Sequence, residues 1–195
     1  MGKMDNKVAI VTGGGKGIGF GIATAFAKEG ANLVITGRTV ERLESAKKKL
    51  EEYGVTVLPV AADGGDEAQV KEAVRLTVEK FGKIDVLVNN AQVSKSGVLL
   101  KDHTKEDFDL AVNSGLYAVF YYMRECYPYL KETKGSVINF ASGAGLFGKP
   151  GQSSYAAAKE GIRGLSRVAA TEWGPDGINI NIVCPLVYTE QLDAW

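Results

Sequence analysis

Tyr155 and Lys159 are the two residues whose types and spacing most directly suggest chemistry. They lie four residues apart in a stretch with helical periodicity, so they share one face of the predicted helix. An unperturbed tyrosine has a pKa of about 10, and a nearby ammonium group lowers it by favouring the phenolate. The pair is therefore a candidate acid–base couple, although a packed tyrosine beside a surface lysine has the same spacing.

Further polar residues follow the apolar runs that we predict to be strands. Ser142 comes directly after one such run, and Asn90-Ala91 comes directly after another. Asn113 lies in the helical region that follows. Ligands of open parallel sheets bind at the carboxyl ends of the strands. We therefore expect these residues to lie at the same edge of the sheet as Tyr155.

A glycine-rich turn follows the first predicted strand and precedes a helix, with an ordinary glycine-rich loop as the alternative. Glycines lack a Cβ atom, so a pyrophosphate can approach the backbone, and the helix N-terminus supplies unpaired N–H groups. A P-loop is excluded, because Lys16 is followed by glycine and not by serine or threonine. The turn predicts a dinucleotide-binding site that contains Gly13, Gly15, Lys16, Gly17, Ile18 and Gly19.

Arg38 follows the second predicted strand, where NAD-binding proteins place an acidic residue that binds the ribose 2′-hydroxyl. A guanidinium group binds a 2′-phosphate, whereas a carboxylate repels it. Lys16 adds a second positive charge. We therefore predict a preference for NADP(H) over NAD(H); a solvated loop arginine is the alternative.

Six apolar runs alternate with helical stretches along the chain. This order predicts an α/β fold with one doubly wound parallel sheet, covered by helices on both faces, in a single three-layer αβα domain over residues 1–195. The predicted strands are Val8–Thr12, Asn32–Thr36, Val55–Ala61, Val86–Asn89, Gly135–Ala141 and Ile178–Cys184. The predicted helices are Ile18–Lys28, Val40–Tyr53, a helix capped by Asp66 and Gln69 that ends at Phe81, one or two within Thr104–Lys131, and Ser153–Trp173.

The order of these motifs resembles that of the short-chain dehydrogenase/reductase family in its common single-domain form. The matching residues span essentially the whole chain and are Thr12-Gly13-x-x-x-Gly17-Ile18-Gly19, Asp63, Asn89-Asn90-Ala91, Asn113, Ser142, Tyr155-x-x-x-Lys159, Cys184-Pro185 and Thr189. The resemblance implies a Rossmann-like fold. Because the sequence ends at Trp195, we expect it to be incomplete at its C-terminus, without that fold's C-terminal helix and seventh strand.

The resemblance also implies a role for each residue of the active site. Tyr155 would donate a proton to the carbonyl oxygen during reduction and accept it during oxidation. Lys159 would hold the nicotinamide ribose and lower the pKa of Tyr155. Ser142 would hydrogen-bond the substrate oxygen, and Asn113 would hold a water molecule in a proton relay.

The remaining matches would contact the cofactor. Asp63 would contact the adenine, with a plain turn residue as the alternative, and Thr189 would contact the nicotinamide carboxamide. Asn90, Ala91 and Pro185 complete the expected cofactor-binding residues, together with Tyr155 and Lys159.

Two positions depart from the family's pattern beside the expected active site. Gln92 replaces the glycine that usually follows Asn-Asn-Ala, and Leu186 replaces the glycine that usually follows the late proline. A narrower pocket, a different substrate and weaker cofactor binding remain open as consequences. If the usual glycine has a positive φ angle, Gln92 would need an unusual backbone conformation.

The activity that we expect is hydride transfer between NADP(H) and a carbonyl or secondary alcohol. The small apolar stretch 143–148 favours an uncharged, partly apolar substrate, with a plain flexible loop as the alternative. By family resemblance the first expected substrate is a 3-oxoacyl thioester. The alternatives are a dehydrogenase of a steroid, sugar or other alcohol, and an NADP(H)-binding module without catalysis. The resemblance also implies a homo-oligomer, a dimer or tetramer, formed by Thr104–Lys131 and Ser153–Trp173.

Composition disfavours several other classes of protein. The 23 basic and 23 acidic residues balance, so bulk charge predicts neither a nucleic-acid nor a membrane partner. Two cysteines do not form a secreted disulfide framework, and the N-terminal apolar run is too short for a signal peptide, so we expect a cytoplasmic protein. No residues have metal-ligand spacing, and no serine has the G-x-S-x-G setting of a hydrolase. The single histidine, His103, is expected to be solvated or to cap a helix.

Overall fold

The computed structural model describes residues 2–185, which form one parallel sheet with helices on both faces. The strands in this range are β1 (Val8–Thr12), β2 (Asn32–Gly37), β3 (Val57–Ala61), β4 (Val86–Asn89), β5 (Ser136–Phe140) and β6 (Asn179–Val183). The α-helices in this range are α1 (Gly17–Lys28), α2 (Val40–Glu51), α3 (Glu67–Phe81), α4 (Lys105–Ala111), α5 (Ala118–Thr133), α6 (Gly143–Phe147) and α7 (Ser153–Trp173).

The strand order β3-β2-β1-β4-β5-β6 confirms the predicted doubly wound α/β fold. Each neighbouring pair of strands is parallel. All five residues of β1 are buried, as expected for a central strand that is covered on both faces. One hydrophobic core lies between the sheet and helices α3, α5 and α7, and a second lies between the sheet and helices α1 and α2. The two cores give the predicted three layers.

The region Thr104–Lys131 contains a feature that the sequence did not predict. Two α-helices are present, but a π-helical turn at Val112–Tyr117 joins them. The N–H group of Ala118 bonds to the carbonyl oxygen of Asn113, five residues earlier, which widens the helix at this point. Wide turns of this kind occur frequently at functional sites, and here the turn contains the candidate residue Asn113.

The predicted cap of α3 forms, but with a different closing contact. Asp66 accepts hydrogen bonds from the N–H groups of Ala68 and Gln69. Gln69 does not accept from the Asp66 N–H group, because that group already donates to the carbonyl oxygen of Asp63. Instead, Gln69 Oε1 accepts a 2.9 Å hydrogen bond from the Asp63 N–H group, which orders the turn before the helix.

Asp85 connects the starting ends of β1 and β4 from a buried position. Its carboxylate accepts a 2.9 Å hydrogen bond from the Val8 N–H group and forms ion pairs with Lys7 and Lys83. Burial alone would raise the pKa of Asp85, but the bonds from Val8 and the two lysines outweigh it, and the pKa is lowered. The charged carboxylate therefore stabilises the junction of these two strands.

None of the helices within residues 2–185 combines the length and hydropathy needed to cross a membrane.

We expect Asp85→Asn to lower the free energy of unfolding at neutral pH by about 1–3 kcal/mol, because it removes a buried, paired charge. The folded-state pKa of Asp85 lies below the ordinary value of 3.8, so its contribution is present above that pH and is lost as the pH falls further. The difference between the two proteins should therefore shrink in acid, as measured by urea unfolding at several pH values. Glu79→Gln, which removes an exposed carboxylate, is the control and should change stability by less than about 0.5 kcal/mol. A difference that stays constant with pH would contradict this role of Asp85.

Candidate active site

The glycine turn after β1 contains close approaches that only glycine allows. A Cβ atom on Gly19 would lie 2.3 Å from the carbonyl oxygen of Gly13. A Cβ atom on Gly13, whose φ angle is +68°, would lie 3.0 Å from Nδ2 of Asn90. The turn is therefore closed tightly against the carboxyl end of β4, and a larger residue would open it.

The N-terminus of α1 is accessible to a ligand. Lys16 precedes the helix without a side-chain cap, and the first turn contains no acidic residue. The Cβ position of Gly17 has no described atom within 4 Å, so this part of the turn faces open space. Gly15 and Ile18 flank this opening in the chain. Unpaired N–H groups and a positive helix dipole at such an opening fit the pyrophosphate of a dinucleotide.

The side chain of Thr12 joins two strand ends, a contact that the sequence analysis missed. Its Oγ1 accepts hydrogen bonds from the N–H groups of Asn90 and Ala91, each at 3.0 Å. Asn90 Nδ2 donates in turn to the Thr12 carbonyl oxygen at 3.0 Å. These bonds hold the segment after β4 against the glycine turn. The only sequence signal for them was a threonine at the end of a buried strand.

Of the two residues predicted to distinguish the dinucleotides, Arg38 follows β2 and Lys16 lies in the glycine turn before α1. Arg38 and Lys16 are both exposed, and neither side chain forms an ion pair within the described residues. Asp63, the expected adenine contact, also orders its own turn, because its Oδ1 accepts a 2.9 Å hydrogen bond from the Gly65 N–H group. Two exposed cations beside the glycine turn are thus available to an anionic ligand.

The structure brings Ser142, Tyr155 and Lys159 together where β5 ends. Lys159 is buried, and its Nζ donates a 2.7 Å hydrogen bond to the carbonyl oxygen of Phe140. The same Nζ lies 5.5 Å from the centre of the Tyr155 ring. Ser142 hydrogen-bonds with the Tyr155 side chain, and its Oγ also accepts from the Ala144 N–H group at 3.1 Å. The three predicted groups therefore lie close together at the carboxyl end of β5.

Burial shifts the two ionisable groups of this site in opposite directions. Loss of solvent raises the pKa of Tyr155, and the hydrogen bond with Ser142 opposes this shift only in part. Loss of solvent lowers the pKa of Lys159 to about 8. The expected lowering of the Tyr155 pKa is therefore not found in this structure, because the ammonium group is directed to the Phe140 carbonyl oxygen rather than to the phenol.

A series of buried polar groups connects the sheet to α7, the helix that carries Tyr155 and Lys159. Asn89 Nδ2 donates to Asn139 Oδ1 at 2.8 Å, and Asn139 Nδ2 donates to Ser166 Oγ at 2.8 Å. Ser166 belongs to α7, whereas the two asparagines belong to β4 and β5. The bond from Asn139 to Ser166 fixes the position of α7 along the strands, because it would break if the helix slid, whereas the bond from Asn89 to Asn139 joins the two strands.

The π-helical turn that contains Asn113 is attached to the segment after β4. Ser114 Oγ accepts a 3.0 Å hydrogen bond from the Val93 N–H group and lies 2.8 Å from the Val93 carbonyl oxygen, to which it donates. The turn also packs closely on α7, since a Cβ atom on Gly161 would lie 2.8 Å from the side chain of Leu116. Asn113 itself is exposed, so its amide is accessible from solvent.

Gln92 fits the structure without backbone strain, because its φ angle is not positive. Its side chain instead fills the space above Gly115, where a Cβ atom would lie 2.7 Å from Gln92 Cδ. Gln92 Nε2 makes a long 3.5 Å contact with the Ala111 carbonyl oxygen, and Oε1 is buried without a hydrogen-bond partner among the described residues. The side chain of Gln92 is thus accommodated because Gly115, in the π-helical turn, has no side chain of its own.

The remaining expectations concern the ends of the last two strands. The stretch after Ser142 is not a plain loop, because Ser142 caps the short helix α6. Pro185 is described and lies just beyond β6. Leu186 and Thr189 lie outside the described residues, so their predicted roles stay predictions.

A parallel sheet with a glycine turn at the end of its first strand is the architecture of dinucleotide-binding enzymes. The family model described as short chain dehydrogenase matches residues 7–193, and the chain belongs to this family. It is therefore an oxidoreductase that acts on CH–OH groups, in a family that uses NAD(P)(H).

Two curated relatives illustrate the range of the family. The chain is 67% identical, over 202 aligned positions, to a 12alpha-hydroxysteroid dehydrogenase of Clostridium sp., with 100% of this chain and 78% of the relative covered. It is 36% identical to a 3-oxoacyl-(acyl-carrier-protein) reductase of Thermotoga maritima, with 94% of this chain and 74% of the relative covered.

Solved structures agree with this assignment. NAD⁺-bound xylitol dehydrogenase matches with a TM-score of 0.91 at 30% identity, covering 94% of this chain and 71% of that one. Levodione reductase matches with a TM-score of 0.90 at 38% identity, covering 94% and 72%. These neighbours share the Rossmann-like fold, and their different substrates indicate that the fold alone does not select the substrate.

We expect Gly115→Ala to destabilise the protein by about 1–3 kcal/mol, because the new Cβ atom would overlap the Gln92 side chain. In a Gln92→Gly background the same alanine should be tolerated, since the obstructing side chain is gone. Thermal and urea unfolding of the four proteins measure this coupling. Equal effects of the alanine in both backgrounds would contradict the packing of Gln92 over the π-helical turn.

Proposed function

We propose that the protein is an NADP(H)-dependent hydroxysteroid dehydrogenase that interconverts a 12α-hydroxyl group and the corresponding ketone. The observation that carries this proposal is the 67% identity to a 12alpha-hydroxysteroid dehydrogenase over the whole of this chain. The first expected substrate, a 3-oxoacyl thioester, has the weaker support of 36% identity. The steroid alternative is therefore preferred.

The surface beside Ser142 supports a large apolar substrate. Helix α6 begins directly after Ser142, and all of its residues are at least partly exposed. Leu146 is 46% exposed and Phe147 is 86% exposed. Large apolar side chains exposed next to a polar reactive group fit a rigid hydrocarbon substrate that carries one hydroxyl group.

Each polar group of the site has a role in the proposed reaction. When bound, the nicotinamide supplies or accepts the hydride. Tyr155 donates its phenolic proton to the ketone oxygen in reduction and takes the proton from the hydroxyl group in oxidation. Ser142 orients that oxygen by a hydrogen bond and stabilises the charge that develops on it. The raised pKa keeps Tyr155 protonated at neutral pH, which suits it to donate.

The same proposal assigns positions to the cofactor. The glycine turn and the N-terminus of α1 would bind the pyrophosphate, Asp63 would contact the adenine, and Lys159 would bind the nicotinamide ribose. Asn90, Ala91, Pro185 and Thr189 would complete the site. Asn113 would hold a water molecule that relays protons toward Lys159.

Preference for NADP(H) follows from Arg38 and Lys16, which would bind the 2′-phosphate. We expect Gly37→Asp with Arg38→Leu to shift the ratio of kcat/KM for NADP(H) over NAD(H) by at least about tenfold toward NAD(H). The aspartate has room, because the nearest atom to a Cβ on Gly37 is a Leu43 side-chain carbon at 3.6 Å. Arg75→Leu, at an exposed position on α3, is the control. An unchanged ratio would contradict the proposed phosphate site.

We expect purified protein to oxidise a 12α-hydroxysteroid with NADP⁺ at a kcat/KM at least about tenfold higher than for a 3-hydroxyacyl thioester or a steroid hydroxylated on another ring. Tyr155→Phe should lower kcat by about 10²–10⁴-fold. The substituted protein should still bind NADPH, which a fluorescence titration measures. Tyr53→Phe, at an exposed position distant in sequence from Tyr155, is the control. Preference for the thioester would overturn the proposed substrate, and an active Tyr155→Phe protein would overturn the proposed acid.

We also propose that the protein is a homo-oligomer that assembles through α5 and α7. A groove of about 290 Å³ runs between these helices and is lined by Phe120, Met123, Arg124, Tyr127, Leu165, Val168, Ala169, Glu172 and Trp173. Val168 is 55% exposed and Phe120 is 37% exposed, so a second copy would remove apolar surface from water. Light scattering at micromolar concentration tests this proposal, and a monomer would contradict it.

A further inference from the structure

His103 does not behave as the solvated or capping residue that the sequence predicts. Its Nε2 lies 2.9 Å from Ser154 Oγ, and its Nδ1 lies 3.1 Å from Ser153 Oγ. Thr104, the next residue, is the one that caps α4. Both ring nitrogens of the only histidine in the chain are therefore used to bind the first two residues of α7.

We propose that His103 is a positioning residue for the reaction: it holds the first turn of α7, and through that turn the phenol of Tyr155, in place against Ser142. This inference rests on the proposed role of Tyr155 as the acid–base group, and not on the identity of the substrate.

The first turn of α7 needs such support because it has none of its own. Gln152 precedes the helix without a side-chain cap, and the first turn contains no acidic residue that would stabilise the helix dipole. Tyr155 is only the third residue of this helix, so fraying of the first turn would displace the phenol. Its neighbour Ser154 is fully buried, and without His103 its hydroxyl group would lose this hydrogen bond.

The chain around His103 is tied to the same end of α7 by backbone contacts. The Gly97 N–H group donates to the Gly151 carbonyl oxygen at 2.9 Å, and Val98 pairs with Gln152 in an isolated bridge. A Cβ atom on Gly151 would lie 3.1 Å from the Gly97 Cα atom, so the two backbones touch. Residues 97–103 therefore form a strap across the start of the catalytic helix, and His103 is its side-chain contact.

The imidazole ring suits this position for a chemical reason. A neutral ring donates from one nitrogen and accepts at the other, and each serine hydroxyl group can do either. A neutral ring that is bonded at both nitrogens cannot rotate without breaking two hydrogen bonds, which is what a rigid support for Tyr155 requires.

Kinetics of substituted proteins test the proposal. His103→Phe retains a ring but forms neither hydrogen bond, and we expect kcat to fall about tenfold while KM for NADP(H) changes less than about twofold. His103→Gln can still reach Ser154 and should recover most of the activity. Lys101→Ala, which removes an exposed side chain that pairs with Asp102, is the matched control and should leave kcat unchanged.

Two further readouts separate positioning from a purely structural role. The hydrogen bond with Ser142 lowers the pKa of Tyr155, so loosening it in His103→Phe should move the Tyr155 limb of the kcat–pH profile upward. The effects of His103→Phe and Ser154→Ala should be non-additive, because each removes the same contact. Unchanged kcat, an unmoved pH profile or additive effects would overturn the proposal.

Nuclear magnetic resonance of the unsubstituted protein tests the proposal even if the substituted proteins do not fold. Because the chain has one histidine, its two ring ¹⁵N signals need no assignment by mutation. In its neutral form, a ring held by two serines should show two well-separated signals of a single tautomer. Averaged signals of a freely exchanging ring would overturn the proposal.

Any carbonyl substrate that the protein reduces serves for the kinetics. Failure with the steroid would therefore count against the proposed substrate and leave the test of His103 intact.

Discussion

The hydrogen bond from the buried ammonium group of Lys159 to the carbonyl oxygen of Phe140 is the interaction on which the site depends. It fixes α7 against the carboxyl end of β5, and it thereby sets where Tyr155, one turn earlier, meets Ser142. Burying an amine is unfavourable, and the cost appears as the lowered pKa of Lys159. A fold does not need such a group for stability alone, so its presence at a ligand-binding edge indicates function.

Other contacts also hold the carboxyl ends of the strands and helix α7 in fixed positions relative to one another. Thr12 joins the ends of β1 and β4, and Asn139 joins β4 and β5 to α7. His103 acts at the outer end of α7, whereas Ser166 acts more than two turns further along it. Together with the bond of Lys159, these contacts fix the position and tilt of the helix at three separate points. A single attachment would leave the helix free to pivot, and the phenol would move with it.

The regular elements were predictable from the sequence because each is coded by a local pattern. α7 begins and ends where its periodicity predicts, and every predicted strand in the described range is present, with ends that differ by at most two residues. The π-helical turn was not predictable, because a wider turn needs no different residue types than an α-helix. His103 was misassigned because its partners lie about 50 residues away and only the packing of the strap on α7 brings them near. Whether Gln92 strains the backbone could not be read from the sequence, because the φ angle at position 92 and the space that the distant Gly115 leaves for its side chain are set by the fold.

The pKa values of the site could not be inferred from the types of its residues. Spacing alone suggested that Lys159 lowers the pKa of Tyr155, but burial acts on both groups and favours the neutral form of each. With a pKa of about 8, Lys159 keeps its charge in most molecules at neutral pH and loses it in mildly alkaline solution. A phenol that stays protonated is already the form that ketone reduction uses, whereas alcohol oxidation needs the phenolate, and burial of Tyr155 disfavours that form.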